Sequence, residues 1–165
     1  MELIDTRNAF RRVVLVLLAC FAAIGAGAAS LAEQSSASNP PLIQPADLAR
    51  VLKSGQARPL VIQVGFHVLY EQAHIPGSEY IGPGSRAEAI RELQKRVEGL
   101  PRTQSIVLYC GCCPWVRCPN IDPAYKALRT LGFTNVQLLY IESNFGKDWV
   151  EKGYPVAEGD KPGTL

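Results

Sequence analysis

The 165-residue chain lacks an excess of charge of either sign: 17 Lys and Arg face 15 Asp and Glu, a formal +2. That near-balance excludes a nucleic-acid partner recruited by phosphate neutralisation. Internal repeats are absent, and only 19% of residues are charged, beside 14 Gly and 12 Pro. Such a composition excludes a disordered or collagen-like chain. With 47% apolar residues over this length, one globular domain is the expectation. Histidine is scarce, at His67 and His74 only, and cysteine is sparse except in one place: Cys110, Cys112, Cys113 and Cys118 fall within nine residues, with Cys20 alone elsewhere.

The first 32 residues read as a secretory signal peptide. Arg7, Arg11 and Arg12 precede the charge-free run Val13 to Ala29, which ends in small residues at Ala26, Ala28 and Ala29, with Ala32 beyond. An uncleaved N-terminal anchor is the alternative, since such a run sits at the lower limit for spanning a bilayer. Leu17-Leu18-Ala19-Cys20 is similar to a lipobox, but acylation of Cys20 would leave the apolar stretch Phe21 to Ala29 in the mature protein. Cleavage leaves four cysteines in a chain near +1, in a periplasmic or extracellular compartment where disulfides persist. Membrane contact is expected only through this segment, if uncleaved or lipidated.

Residues 33–41 (EQSSASNPP) read as a flexible linker, 42–159 as the folded domain and 160–165 as a tail. Within the domain, Leu60 to Val64, Ser105 to Tyr109 and Val136 to Ile141 are short apolar runs with the character of buried strands. Helical patterns lie between and around them. Pro45 to Lys53 is one, and a segment opened by a Ser85/Glu88 capping box is a second. A third starts at Asp122-Pro123, and Asn144 to Lys152 is a short last one holding Trp149. Alternating strands and amphipathic helices imply an α/β fold with a central parallel sheet and helices on both faces. Ligands of such sheets bind at the C-terminal strand ends, where Cys110 directly follows Tyr109.

A thiolate placed there, facing a helix N-terminus and unpaired N–H groups, is stabilised and nucleophilic. Gly111, Cys112, Cys113, Pro114, Trp115, Val116 and Arg117 would then form an anion-binding loop, in which Arg117 is the only charged side chain. Several segments, taken in order, carry a resemblance. They are Ala73-His74-Ile75-Pro76-Gly77-Ser78, the strand ending Tyr109-Cys110, Leu131-Gly132-Phe133, Trp149 and Gly153-Tyr154-Pro155-Val156. Together they resemble the rhodanese-like domain over roughly Leu42 to Gly159.

The resemblance implies a sulfurtransferase in which Cys110 attacks a small sulfane-sulfur donor anion such as thiosulfate, becomes a persulfide and passes sulfur to a thiol or cyanide. It implies no cofactor, and a structural role for His74, Pro76 and Gly77 in the turn. Three departures stand out. Gln63-Val64-Gly65 replaces the usual Asp-x-Arg, the loop after Cys110 is several residues longer, and the fifth position after Cys110 is Trp115 rather than a basic or hydroxylated residue. Arg117 does fall five after Cys112, which makes Cys112 an alternative nucleophile. The phosphatase branch wants Cys-x5-Arg, but Val116 and Cys118 occupy those positions after Cys110 and Cys112.

The other thiols admit rival readings. Cys110 and Cys113 form a C-x-x-C pair able to exchange disulfides, and a silent binding or sulfur-relay module is a further alternative. Cys113–Cys118 or Cys112–Cys118 could be a structural disulfide, with Cys112, Cys113 and Cys118 also eligible as resolving thiols. Four cysteines within nine residues could hold Zn²⁺ or Cu⁺, but no metal site is assigned, because tetrahedral sites draw ligand pairs from separated segments and both histidines lie elsewhere.

Overall fold

The computed structural model describes residues 40–55 and 57–161. The signal peptide or anchor at 1–32, Cys20, most of the 33–41 linker and the last four residues of the tail lie outside them. Among the described residues no helix is long and apolar enough to cross a membrane.

Five parallel strands form one sheet: β1 (Leu42–Ile43), β2 (Leu60–Gln63), β3 (Glu79–Tyr80), β4 (Ile106–Tyr109) and β5 (Val136–Leu139), in the order β1-β5-β4-β2-β3. Four α-helices accompany it: α1 (Pro45–Lys53), α2 (His67–Gln72), α3 (Ala87–Val97) and α4 (Ile121–Thr130). A 3-10 turn at Trp115–Arg117 and a π turn at Gly146–Val150 complete the domain. This is the α/β architecture that the alternating pattern predicts.

The three longer strands are close to the predicted runs, and Pro45–Lys53 matches its helix. The short elements β1, β3 and α2 have too few residues to show a period, and the pattern misses them. Pro41, placed in the linker by composition, accepts the Leu138 N–H at 2.8 Å and extends the sheet edge.

Two helix starts differ from expectation. The Ser85/Glu88 capping box does not form: α3 begins at Ala87 after Arg86, while the Ser85 N–H donates to Asn120 Oδ1 at 3.2 Å. The α4 helix starts at Ile121 rather than at Pro123, with Asn120 at its cap position and Asp122 in its first turn. The Asn120 side chain makes no cap hydrogen bond.

Strand periodicity sorts the core into two layers. Ile106, Leu108 and Cys110 pack with Leu93, Val97, Ala124 and Leu128 of α3 and α4, whereas Val107 and Tyr109 pack with Leu48 and Leu52 of α1 and with Phe145 and Trp149. Burying both faces explains why every β4 residue is apolar or aromatic. The chain leaves β2 toward β3 and leaves β4 toward β5, in opposite directions across the sheet. The C-terminal ends of β2 and β4 therefore flank the switch point where such folds open a crevice.

Candidate active site

A cleft of about 400 Å³ opens at that switch point. Its walls are Gln63 at the end of β2, Leu69, Gln72 and Ala73 around the end of α2, Cys110, Gly111 and Cys112 after β4, and Asn144, Phe145, Gly146 and Val150. Among the described residues no charged side chain lines it; the polar groups are amides and thiols. Gln63 is buried with its Oε1 atom unpartnered, leaving an acceptor in the wall.

Cys110 is held from several sides. It is buried at 3% exposure, and Asn120 Nδ2 donates to its Sγ at 3.3 Å and, more weakly, to Cys112 Sγ at 3.8 Å. Gly65 backs it closely: a β-carbon there would stand 2.9 Å from the Cys110 carbonyl oxygen and 3.2 Å from its sulfur. The departure at Gln63-Val64-Gly65 thus has a steric meaning, since an arginine at 65 would enter space that Cys110 fills. Gly111 takes φ +73°, and a β-carbon on it would press within 2.7 Å of Phe145 Cβ, so the chain turns there only because a side chain is missing.

All four thiols are free. Neither the Cys113–Cys118 nor the Cys112–Cys118 disulfide that the spacing allows is formed. The loop is pinned by hydrogen bonds instead, from Phe145 N–H to Gly111 O at 3.0 Å and from Trp115 N–H to Glu142 O at 3.1 Å. Cys110 Sγ lies 3.0 Å from Cys112 Sγ, and Cys112 Sγ lies 3.2 Å from Cys113 Sγ. Cys113 thus meets Cys112 rather than its C-x-x-C partner. Cys118 closes the group from the α4 side, its Sγ within 4.8 Å of those of Cys110 and Cys112.

Within the cluster, Cys118 is the thiol shifted downward. Its hydrogen bond with Cys110 and the backbone N–H groups of Asn120 and Ile121 bring its thiol down to about 6, against the effect of burial. Contrary to the stabilised thiolate expected at the strand end, interaction with Cys118 together with burial holds the Cys110 thiol above its ordinary range. Burial and the bond with Cys112 raise Cys113 as well. Like charges this close oppose one another, so these thiols do not titrate independently.

The predicted anion-binding loop divides. Gly111 and Cys112 reach the cleft, but Pro114, Trp115, Val116 and Arg117 do not line it. Trp115 packs against Tyr140 with ring centroids 5.5 Å apart, Val116 is 86% exposed, and Arg117 is exposed at the end of the 3-10 turn. His74 is fully buried away from the cleft, stacked on Tyr70, with Nδ1 at 2.8 Å from Tyr70 O and its backbone bridged to Ala157. That is a structural placement. It fits the turn through Pro76 and Gly77, where Gly77 has φ +80°.

Sequence reasoning missed Asn120, Gln63 and the Asn144–Gly146 wall. Asn120 carried a signal: an Asn just ahead of a helix whose side chain is not needed as a cap is free for another bond.

The profile of the Rhodanese-like domain family matches residues 44–140, more than half of the chain. The chain belongs to that family. No curated protein matches it. Among solved structures, this rhodanese-like domain is similar to the BH2092 protein from Bacillus halodurans, with 20% identity and TM-score 0.57 over 94% of this chain and 88% of that one. A single-domain sulfurtransferase from Saccharomyces cerevisiae aligns at 16% identity and TM-score 0.52, covering 72% of this chain and 95% of that one. A yeast protein tyrosine phosphatase of the rhodanese family aligns at 20% identity and TM-score 0.51, covering 72% and 89%. These likenesses establish the fold that the rhodanese-like domain shares with proteins of more than one activity.

Proposed function

We propose that this rhodanese-like domain is a sulfurtransferase carrying sulfane sulfur as a persulfide on Cys110. The observation that carries the reading is the position of Cys110, at the C-terminal end of the central strand β4 and in the wall of the cleft. Thiosulfate is the model donor. Sulfur of Cys110 attacks the outer sulfur atom, the S–S bond of the donor breaks, and sulfite leaves with the bonding electron pair. Cys118, its Sγ within 4.8 Å of that of Cys110, is placed to accept the Cys110 proton. A thiol or cyanide then attacks the outer sulfur of the persulfide and returns Cys110 to its starting state, yielding an acceptor persulfide or thiocyanate. No cofactor takes part in this sequence.

The uncharged amide lining supports a small donor that binds by hydrogen bonds rather than by ion pairing. Phosphoryl transfer is disfavoured because no arginine among the described residues lines the cleft, Arg117 being exposed away from it. Export to the periplasm or outside the cell, suggested by residues 1–32, belongs to the same proposal. Cys112 is the second candidate nucleophile, because it also lines the cleft and lies 3.0 Å from Cys110. That contact also favours Cys110 with Cys112, rather than with Cys113, should the protein exchange disulfides.

A thiosulfate-to-cyanide assay of wild type, Cys110→Ser and Cys112→Ser tests the proposal. Turnover by the wild type that is abolished in Cys110→Ser and persists in Cys112→Ser is the expected result. Inactivity of the wild type, or full activity of Cys110→Ser, would overturn it.

A further inference from the structure

The cysteine loop folds back on itself more tightly than its sequence shows. Cys110 and Cys112 come from the end of β4 and Cys118 from the approach to α4, yet their three sulfurs lie within 4.8 Å of one another. Sulfur transfer through Cys110 uses at most one neighbouring thiol at a time and does not call for three sulfurs converging on one point. We propose that Cys110, Cys112 and Cys118 form a three-thiolate site for a single Cu(I) ion.

Spacing, donor chemistry and surroundings each support the site. A metal–sulfur bond of ~2.3 Å in trigonal geometry sets sulfurs about 4.0 Å apart, a value that lies between the 3.0 Å of Cys110–Cys112 and the 4.8 Å limit of the set. All three donors are sulfur, and soft thiolate ligands select Cu(I) over harder cations. Neither imidazole belongs to the sulfur cluster: His74 is stacked on Tyr70 with Nδ1 2.8 Å from the Tyr70 carbonyl oxygen, and His67 lies at the surface with Glu71 and Asp160.

Three thiolates around one monovalent cation leave net negative charge, and the structure supplies donors to meet it. Asn120 gives its side-chain amide to Cys110 and Cys112, while the N-terminal end of α4 gives backbone N–H groups to Cys118. Such outer contacts orient metal ligands and tune them. Cys110 is buried and the other two are half-buried, which limits the access of water and oxidants.

Cys113 stands outside the set. Its sulfur contacts Cys112 at 3.2 Å and points back to the Arg117 carbonyl oxygen at 3.9 Å. A four-thiolate tetrahedral centre of the zinc type would need Cys113, and the trigonal centre does not. Because Cys110 serves both, copper and a persulfide exclude one another, but the metal site rests on the geometry of the thiols and stands or falls apart from the sulfurtransferase reading.

The test is an anaerobic titration of the reduced full chain with Cu(I) against a chromogenic chelator such as bicinchoninate, with copper-edge X-ray absorption on the loaded wild type. Wild type and Cys113→Ser should each withdraw one equivalent from the chelator. Cys112→Ser and Cys118→Ser should each bind more weakly by over about 100-fold, beyond what loss of an outer contact produces. Circular dichroism identifies any variant that fails to fold, and the wild-type absorption spectrum, expected to show three sulfur neighbours, does not depend on the variants. Failure of the wild type to compete would overturn the site. So would nitrogen or oxygen neighbours in the spectrum, or a loss in Cys113→Ser equal to that in Cys118→Ser.

Discussion

Gly65 and Cys110 touch backbone to backbone across the gap between the ends of β2 and β4, so closely that a β-carbon on Gly65 would lie 2.9 Å from the Cys110 carbonyl oxygen. Replacing Gly65 with alanine must therefore push the β4 end aside. Overpacking of this kind costs about 1–3 kcal/mol, and the Gly65→Ala midpoint in urea should fall accordingly. Alkylation of Cys110 should change in the same variant, since its sulfur is only 3.2 Å from the added carbon. An unchanged midpoint together with unchanged alkylation would show that the contact is not a constraint.

Asn120 joins three elements with one side chain. It donates to Cys110, accepts from the Ser85 N–H ahead of α3, and sits at the cap of α4 without capping it. Asn120→Ala leaves the part-buried Ser85 N–H and the buried Cys110 sulfur without that partner, at a cost of about 1–3 kcal/mol. Asn120→Asp keeps an acceptor for Ser85 while placing negative charge beside the thiols. Alkylation of the cluster by iodoacetamide at neutral pH should thus slow more in Asn120→Asp than in Asn120→Ala, although the aspartate variant keeps more of the hydrogen bonding.

Trp149 supports the cleft wall from behind. It is fully buried, stacks on Phe145 with centroids 5.9 Å apart, and donates its indole N–H to Pro155 O at 2.8 Å. Trp149→Ala should lose about 3–5 kcal/mol, measured by denaturant unfolding. Trp149→Phe should fall between wild type and alanine, because the ring is retained while Pro155 loses its donor.

Alkaline stability should report Tyr70. Its hydroxyl donates to Ser78 O at 2.6 Å, and burial raises its phenol above the usual value. A folded-state value above the unfolded one means that the folded chain holds this proton more tightly. The resulting contribution is complete below pH ~10, the unfolded tyrosine value, and is lost as pH rises through the folded value. Unfolding free energy measured from pH 9 upward, at about that range, should fall less steeply in Tyr70→Phe than in wild type.

Much of this was legible in the sequence where burial enforces a pattern. Strands β2, β4 and β5 are buried on both faces and read as apolar runs, and α1 shows its period through Leu48 and Leu52. Local cap signals failed where tertiary bonds won. The Ser85 backbone is taken by Asn120, and Asn120 itself is drawn to the thiols instead of to its own helix. The position of Cys110 followed from its strand, but the fate of the loop did not. Nothing in the spacing of Cys112, Cys113 and Cys118 tells which one folds back on Cys110 or that Arg117 ends away from the cleft. Gln63 was seen only as a missing aspartate, although its buried amide is part of the cleft wall.

Sulfur carried on Cys110 is read by intact-protein mass spectrometry with peptide mapping after brief exposure to thiosulfate. One added, cyanide-removable sulfur atom is expected on the Cys110 sulfur of the wild type, still present in Cys112→Ser and absent in Cys110→Ser. An added sulfur that persists in Cys110→Ser, or a wild type that takes up none, would contradict it.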